Sequence, residues 1–318
     1  MNTARMRFPS LLQYTPWIVV YAILLTLYTI NTKYKNLEID SQTKLQSQYS
    51  NMLDGCYHVY LDVGSNLGVQ IRKLFEPIKY PGAKVHRVFD LLFGDKTIRN
   101  QTMQGSDNYV CAVGFEPNSK HSKYLKEIES SYTKCGWRVK FLTETAVSDH
   151  YGTTEFYSDG EPEKYEWGGG ILPHSVIKVA KDNSTEDNYA KVNLLRLSDF
   201  VKFIVGKRRI PKHLAISSHK PPTVVMKMDI EGSEIDVAPD LLFSGGLEFV
   251  NFLMVEWHAF LQQQQEGKEL TTLLNSIVEL ISNYSRIMDD QLGRKHAFEL
   301  LNVDDETYGL TKYDLPVC

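Results

Sequence analysis

The chain has 318 residues, 42% of them hydrophobic and 23% charged, which is ordinary composition for a folded protein with room for one large domain or two small ones. That excludes collagen-like and low-complexity architectures and argues against a largely disordered chain. A net charge of −4 and a pI near 6.2 leave no basic footprint, so no nucleic-acid partner is expected.

The charge is uneven. Residues 1–56 carry a net of +2 and the remaining residues a net of −6, so a slightly basic leader precedes a mildly acidic body. Between Arg7 and Lys33 runs a stretch of 25 residues without a charge, nearly all apolar from Trp17 to Ile30. About 20 apolar residues in a helix span a bilayer. Trp17, Tyr21 and Tyr28 suit its interfacial zones. The expected organisation is a short tail (1–14), a transmembrane anchor through the lipid bilayer (15–31), a polar stem (32–56) and a globular domain (57–318). A cleaved signal peptide and a buried helix are the competing readings of the apolar run. Lys and Arg flank it almost equally, so orientation is open. Sequons at Asn100, Asn183 and Asn283 permit a luminal domain without requiring one. The four cysteines lack metal-site spacing and read as thiols, or at most one or two bridges.

Along the body, Tyr57–Val63 is a β-branched and aromatic run that predicts a buried strand, with a helix from Gly68. Residues 76–108 read as an insertion. A second strand is expected over Tyr109–Phe115, then a helix capped by Asn118, then a third strand over Trp137–Leu142. Thr153–Tyr157 alternates like an added edge strand. Residues 158–190, rich in Gly, Asp, Asn and Pro, read as a long mobile loop, and such loops are usually functional or disordered. Further strands are expected over Lys191–Arg196, Thr223–Asp229 and Phe249–Glu256. Ser198 can cap the helix after the first of these, and a helix starts from Ser233. Lys268–Tyr284 reads as an amphipathic helix and 297–303 as a terminal strand. Alternating strands and helices predict an α/β fold, a Rossmann-like doubly wound parallel sheet. Ligands in such sheets bind at the carboxyl ends of the strands.

Chemistry is therefore sought just after each strand. After the first stands Asp62-Val-Gly-Ser-Asn-Leu-Gly68, whose glycines let backbone approach a ligand. It lacks G-x-G-x-x-G, so the dinucleotide fingerprint fails. After the second stands Glu116, an acid placed to take ribose hydroxyls. Lys227-Met-Asp-Ile-Glu-Gly-Ser-Glu234 puts three acids in six residues beyond an apolar strand, with Lys227, Asp229 and Glu231 on one face if the strand continues. Glu256-Trp-His258 ends the last, and His258 is a candidate general base.

Three of these segments, Tyr60–Gly68, Val113–Asn118 and Lys227–Glu234, resemble the FkbM-type methyltransferases of the class I S-adenosylmethionine-dependent superfamily, in order and spacing, over about residues 57–260. Ala146–Asp149 with Gly152–Phe156, and Val255–His258, are weaker supports. The resemblance implies methyl transfer, usually to oxygen. It places Asp62, Gly64, Asn66 and Gly68 at the amino-acid end of S-adenosylmethionine, Glu116 on its ribose, and Thr145 and Ala146 near its adenine. Asp229 and Glu231 then lie near the methyl and the acceptor, with His258 and Asp229 as candidate bases. The expected acceptor is a hydroxyl on a glycan or small metabolite. A glycan suits a Golgi or endoplasmic-reticulum setting with a luminal domain. No metal site is assigned, although Asp229, Glu231 and Glu256 would offer oxygen ligands to a divalent ion. A catalytically silent binding domain and, last, a nicotinamide-dependent oxidoreductase are the alternatives.

Overall fold

The computed structural model describes residues 35–36, 39–95, 109–158, 169–171, 189–212, 221–258, 272, 275–280, 283, 299–301 and 314–316. Among these no helix is long and apolar enough to cross a membrane, and the apolar run at 15–31 lies outside them. Outside them too lie most of 159–188, residues 96–108 and most of 259–298. The chain divides into two units, Met1–Gln48 and Tyr49–Cys318. In the first, residues 39–48 are helical.

The second unit is built on a six-stranded sheet in the order β3-β2-β1-β7-β8-β9, with every neighbouring pair parallel. Its strands are β1 (His58–Val63), β2 (Val110–Glu116), β3 (Arg138–Thr143), β7 (Val224–Met228), β8 (Phe252–Val255) and β9 (Glu299–Leu301). All residues of β1, β2 and β7 are buried. That is why these segments read as continuous apolar runs: both faces of a parallel sheet are covered. The chain runs outward from β1 to β3 and then, from β7 to β9, in the opposite direction. The reversal between β1 and β7 opens the crevice in which such sheets take ligands.

Helix α1 (Val69–Phe75) follows β1, α2 (His86–Phe93) lies in the 76–108 segment, and α3 (Ser119–Lys134) follows β2. Asn118 caps α3 by accepting the Lys120 N–H at 3.0 Å. The 76–108 segment is not a surface appendage where it is described. Phe89 of α2 packs edge-on against Tyr60 of β1, and Phe93 lies against His58. Buried Arg72 pairs with Glu76, which also accepts the Tyr132 hydroxyl, and Asp314 near the carboxyl terminus joins through Arg72 and Lys79.

A second sheet, β4-β6-β5, comprises β4 (Thr145–Ser148), β5 (Gly152–Tyr157) and β6 (Tyr189–Arg196). Sequence patterning expects a strand over Lys191–Arg196 without assigning its sheet and misses β4; here β6 pairs parallel to β4 and antiparallel to β5. The short helix α4 (Leu197–Phe200) starts one residue before Ser198, whose side chain makes no cap bond. Helix α5 (Glu234–Phe243) follows β7. The body also begins earlier than residue 57. Backbone carbonyls of Met52 and Asp54 accept from Arg138, the Asp54 carboxylate pairs with Arg209, and Leu53 is buried.

Of the two readings left open for the cysteines, thiols or bridges, the described residues take the second. Cys56 is bonded to Cys111, and Cys135 is also disulfide-bonded, so these three are bridges rather than thiols.

Candidate functional site

At the carboxyl ends of the strands lies a cavity of about 420 Å³, within the range of small-molecule sites. Gly64 and Asn66 reach it from the loop after β1, and Glu116 from the end of β2. Thr145 and Ala146 line it from β4, and Asp229 and Glu231 from the turn after β7. Seven of the ten candidate residues thus share one cavity wall. Asp62, Gly68 and His258 do not line it.

The loop after β1 is drawn onto the neighbouring strands. The N–H groups of Gly64 and Ser65 both donate to the Phe115 carbonyl, and the Asp229 N–H donates to Val63. Gly64 has φ of 90°, and a Cβ built there would lie 1.8 Å from the Asp229 carbonyl oxygen. Sequence reading made Gly64 a matter of room for the ligand. The geometry adds a prior constraint, because β1 and β7 could not close on each other around any side chain here. Gly68 is likewise structural: with φ of 72° it precedes α1, and its Cβ would press on Phe141 and Leu125.

Glu116 forms one pole of the cavity. Its Oε2 accepts the Asn66 N–H at 2.6 Å and its Oε1 accepts the Asn118 N–H at 2.8 Å. Nδ1 of buried His121 lies 3.4 Å from Oε1. The carboxylate is thereby fixed in orientation, while each oxygen keeps acceptor capacity for a hydroxyl in the cavity. Beside it Phe115, Pro117, Val147 and Phe156 make an apolar wall.

The other pole is acidic. Strand β7 ends at Met228, so Lys227, Asp229 and Glu231 do not continue as one extended face. A turn brings the two acids together instead, with Glu231 at φ of 54° and Gly232 at 98°. Buried Glu234 holds that turn: its Oε1 accepts the Ile230 N–H at 2.7 Å and its Oε2 the Gly232 N–H at 2.8 Å. Lys227 pairs with Asp229 Oδ2 at 2.5 Å. His258 sits behind the wall, with Nδ1 3.1 Å from Glu234 Oε1. Its Nε2 lies 3.8 Å from Asp229, 3.9 Å from Glu231 and 3.7 Å from Glu256.

Charge follows from this crowding. Burial disfavours the His258 cation, but the hydrogen bond to Glu234 and the surrounding carboxylates outweigh it and raise the imidazole pKa to about 9. Burial, helped by Asp229, Glu234 and Glu256 and opposed by His258, lifts the Glu231 carboxyl to about 8. At neutral pH this arrangement presents His258 as a proton donor. The base role read from sequence therefore needs another positive charge to displace the imidazole proton. Asp62 is fully buried behind the β1 loop, where burial pushes its carboxyl up to about 7 against the pull of Lys227.

Sequence reasoning missed Glu234 as a site residue, though it closes the acidic motif. It also missed the wall made by Gly169, Gly170 and Ile171. That wall is fastened to β5 by reciprocal backbone bonds between Tyr157 and Gly170, both 2.9 Å. Comparison of the chain with protein-family models, with curated proteins and with solved structures gives no match.

Proposed function

We propose that the chain is an S-adenosylmethionine-dependent O-methyltransferase acting on a hydroxyl of a glycan or small metabolite. The observation that carries this reading is Glu116. A carboxylate at the end of the second strand, aimed by two backbone N–H groups at a cavity beside the topological switch, suits the two hydroxyls of a ribose. The rest of the cavity fits the same cofactor. The apolar side formed by Ala146, Val147 and Phe156 suits a flat base, and the acidic pole suits a cationic amino-acid and sulfonium end.

S-adenosylmethionine, when bound, supplies a methyl group already activated by positive sulfur. The chain's own residues then have to position the acceptor hydroxyl and exclude water. Asp229 is the carboxylate on the cavity wall placed to receive the hydroxyl proton. His258, set behind Asp229 and Glu231, acts on the site through them as a positioning residue.

Titration calorimetry tests the cofactor assignment. Glu116→Ala removes both ribose acceptors and is expected to weaken S-adenosylmethionine binding by about 1–3 kcal/mol, roughly fivefold to 150-fold. NAD is expected not to bind. Unaltered affinity in a folded Glu116→Ala protein would remove the basis of the proposal.

The disulfides bear on location, since such bonds persist in oxidising compartments. The reading that follows is a luminal or extracellular body, with the N-terminal tail on the cytosolic side if 15–31 spans the bilayer. Protease added to intact microsomes should spare the body, and N-glycosidase should shift its mobility unless Asn100, Asn183 and Asn283 are replaced by Gln. A body that external protease digests would overturn this topology.

A further inference from the structure

We propose that Asp229, Glu231 and His258 form a binding site for one divalent transition-metal ion at the acidic pole of the cavity. One ligand atom from each of the three lies within 4.8 Å of the others. With Nε2 3.8 Å from Asp229 Oδ1 and 3.9 Å from Glu231 Oε2, a common centre lies roughly 2.5 Å from each, near the 2.0–2.6 Å at which nitrogen and oxygen ligands hold divalent ions. Glu256, whose Oε1 is 3.7 Å from the same nitrogen, stands beside this trio on the cavity wall and adds to its negative charge.

The second observation is independent of the acids on the wall. His258 is buried and its Nδ1 is held by Glu234, which is itself wholly buried and anchored by two backbone N–H groups. With Nδ1–H donating to Glu234, Nε2 is the ring nitrogen that faces Asp229 and Glu231, and a cation that displaces its proton meets its lone pair there. A carboxylate that fixes the tautomer and the tilt of an imidazole, with the other ring nitrogen turned toward carboxylates, is the supporting arrangement that metal-bound histidines use. Lys227 pairs with Oδ2 of Asp229, while Oδ1 is the oxygen on the imidazole side. An imidazole among carboxylates favours manganese, iron or zinc over calcium and magnesium, which take oxygen alone more readily.

The site stands on these side chains and does not depend on the methyltransferase reading. If that reading holds, the ion would lie against the cavity where the acceptor enters, and would select acceptors able to offer it an oxygen.

The test uses the full chain in detergent, freed of metal by a chelator and titrated with MnCl₂. Electron paramagnetic resonance measures free Mn²⁺, and electron spin-echo modulation reports a coordinating nitrogen. One ion per chain is expected, with a nitrogen signal that disappears in His258→Ala and in His258→Gln. Asp229→Asn and Glu231→Gln, which keep side-chain volume, should each weaken binding by at least about tenfold. Asp236→Asn, on the exposed side of α5, should leave it unchanged. Glu116→Ala should weaken S-adenosylmethionine binding and leave Mn²⁺ binding unchanged, so that failure of either proposal is seen separately. A folded wild-type chain that binds no Mn²⁺ overturns the site, as does binding without a nitrogen signal or binding indifferent to all the ligand substitutions.

Discussion

The two ends of the parallel sheet are built to opposite purposes. At the amino end, β1 and β2 are joined just before and within their first residues by the Cys56–Cys111 bond, and Arg138 and Arg209 clamp the incoming chain through Asp54. Tyr57, His58 and Tyr109 stack and edge against one another there, and His58 Nδ1 accepts the Thr223 N–H. At the carboxyl end the same strands lead to Glu116 and Asp229 on the cavity wall, with Asp62 buried behind it, and the backbone turns through left-handed conformations at Gly64, Asn66 and Glu231. One end closes its polar groups among themselves. The other concentrates negative charge against two cations, Lys227 and His258. Strain and unbalanced charge of this kind are kept where a ligand repays them.

Three substitutions probe that contrast, in falling order of effect. Gly64→Val strikes the point where β1 and β7 meet, so the expected outcome is loss of the folded state, seen by circular dichroism, rather than a selective loss of cofactor. A folded Gly64→Val protein of normal melting temperature would show that the carboxyl end tolerates what its geometry forbids. Cys56→Ser opens the amino end. A disulfide closing a span of 55 residues should contribute about 2–4 kcal/mol, and urea unfolding should report that loss, with reductant reproducing it in the wild type. Unchanged stability in both experiments would deny the amino end its stapled character.

Asp62→Asn should act in the opposite sense. Burial raises the folded-state pKa of Asp62 to about 7, above its unfolded value near about 4. Between those values the native protein holds more protons than the unfolded one, so the Asp62 contribution to stability falls as pH rises through the window. The variant loses that dependence. Relative to wild type its stability should rise from pH 4 to pH 7 and level off above. A difference independent of pH would mean that Asp62 is ionised throughout.

Much of this architecture is legible in the residues because burial on both faces writes β1, β2 and β7 as unbroken apolar runs. The turns after them were found for the same reason, as polar residues stand out against such strands. The second sheet is less legible. Thr145–Ser148 has only four residues and no alternation, and Lys191–Arg196 reads the same whichever sheet receives it. Glu234 and His258 show where a linear reading stops. Both were seen in sequence, but the protonation of His258 depends on its distances to four carboxylates, which no spacing encodes. The glycine wall at 169–171 has no pattern of its own, since its place comes from pairing with Tyr157.

That pairing sets a rule for anyone redesigning the cavity. Because residues 169–171 are spliced to β5 through backbone atoms, their position follows the register of Tyr157 and not the identity of side chains between. A Cβ at Gly169 would come within 2.7 Å of the Phe156 ring, so enlarging this wall pushes an aromatic neighbour out of place. Selectivity on this side is thus hard to retune by single substitutions. Engineering a new acceptor range would instead begin across the cavity, at Ile230 and Ser233, which line it from the turn leading into α5.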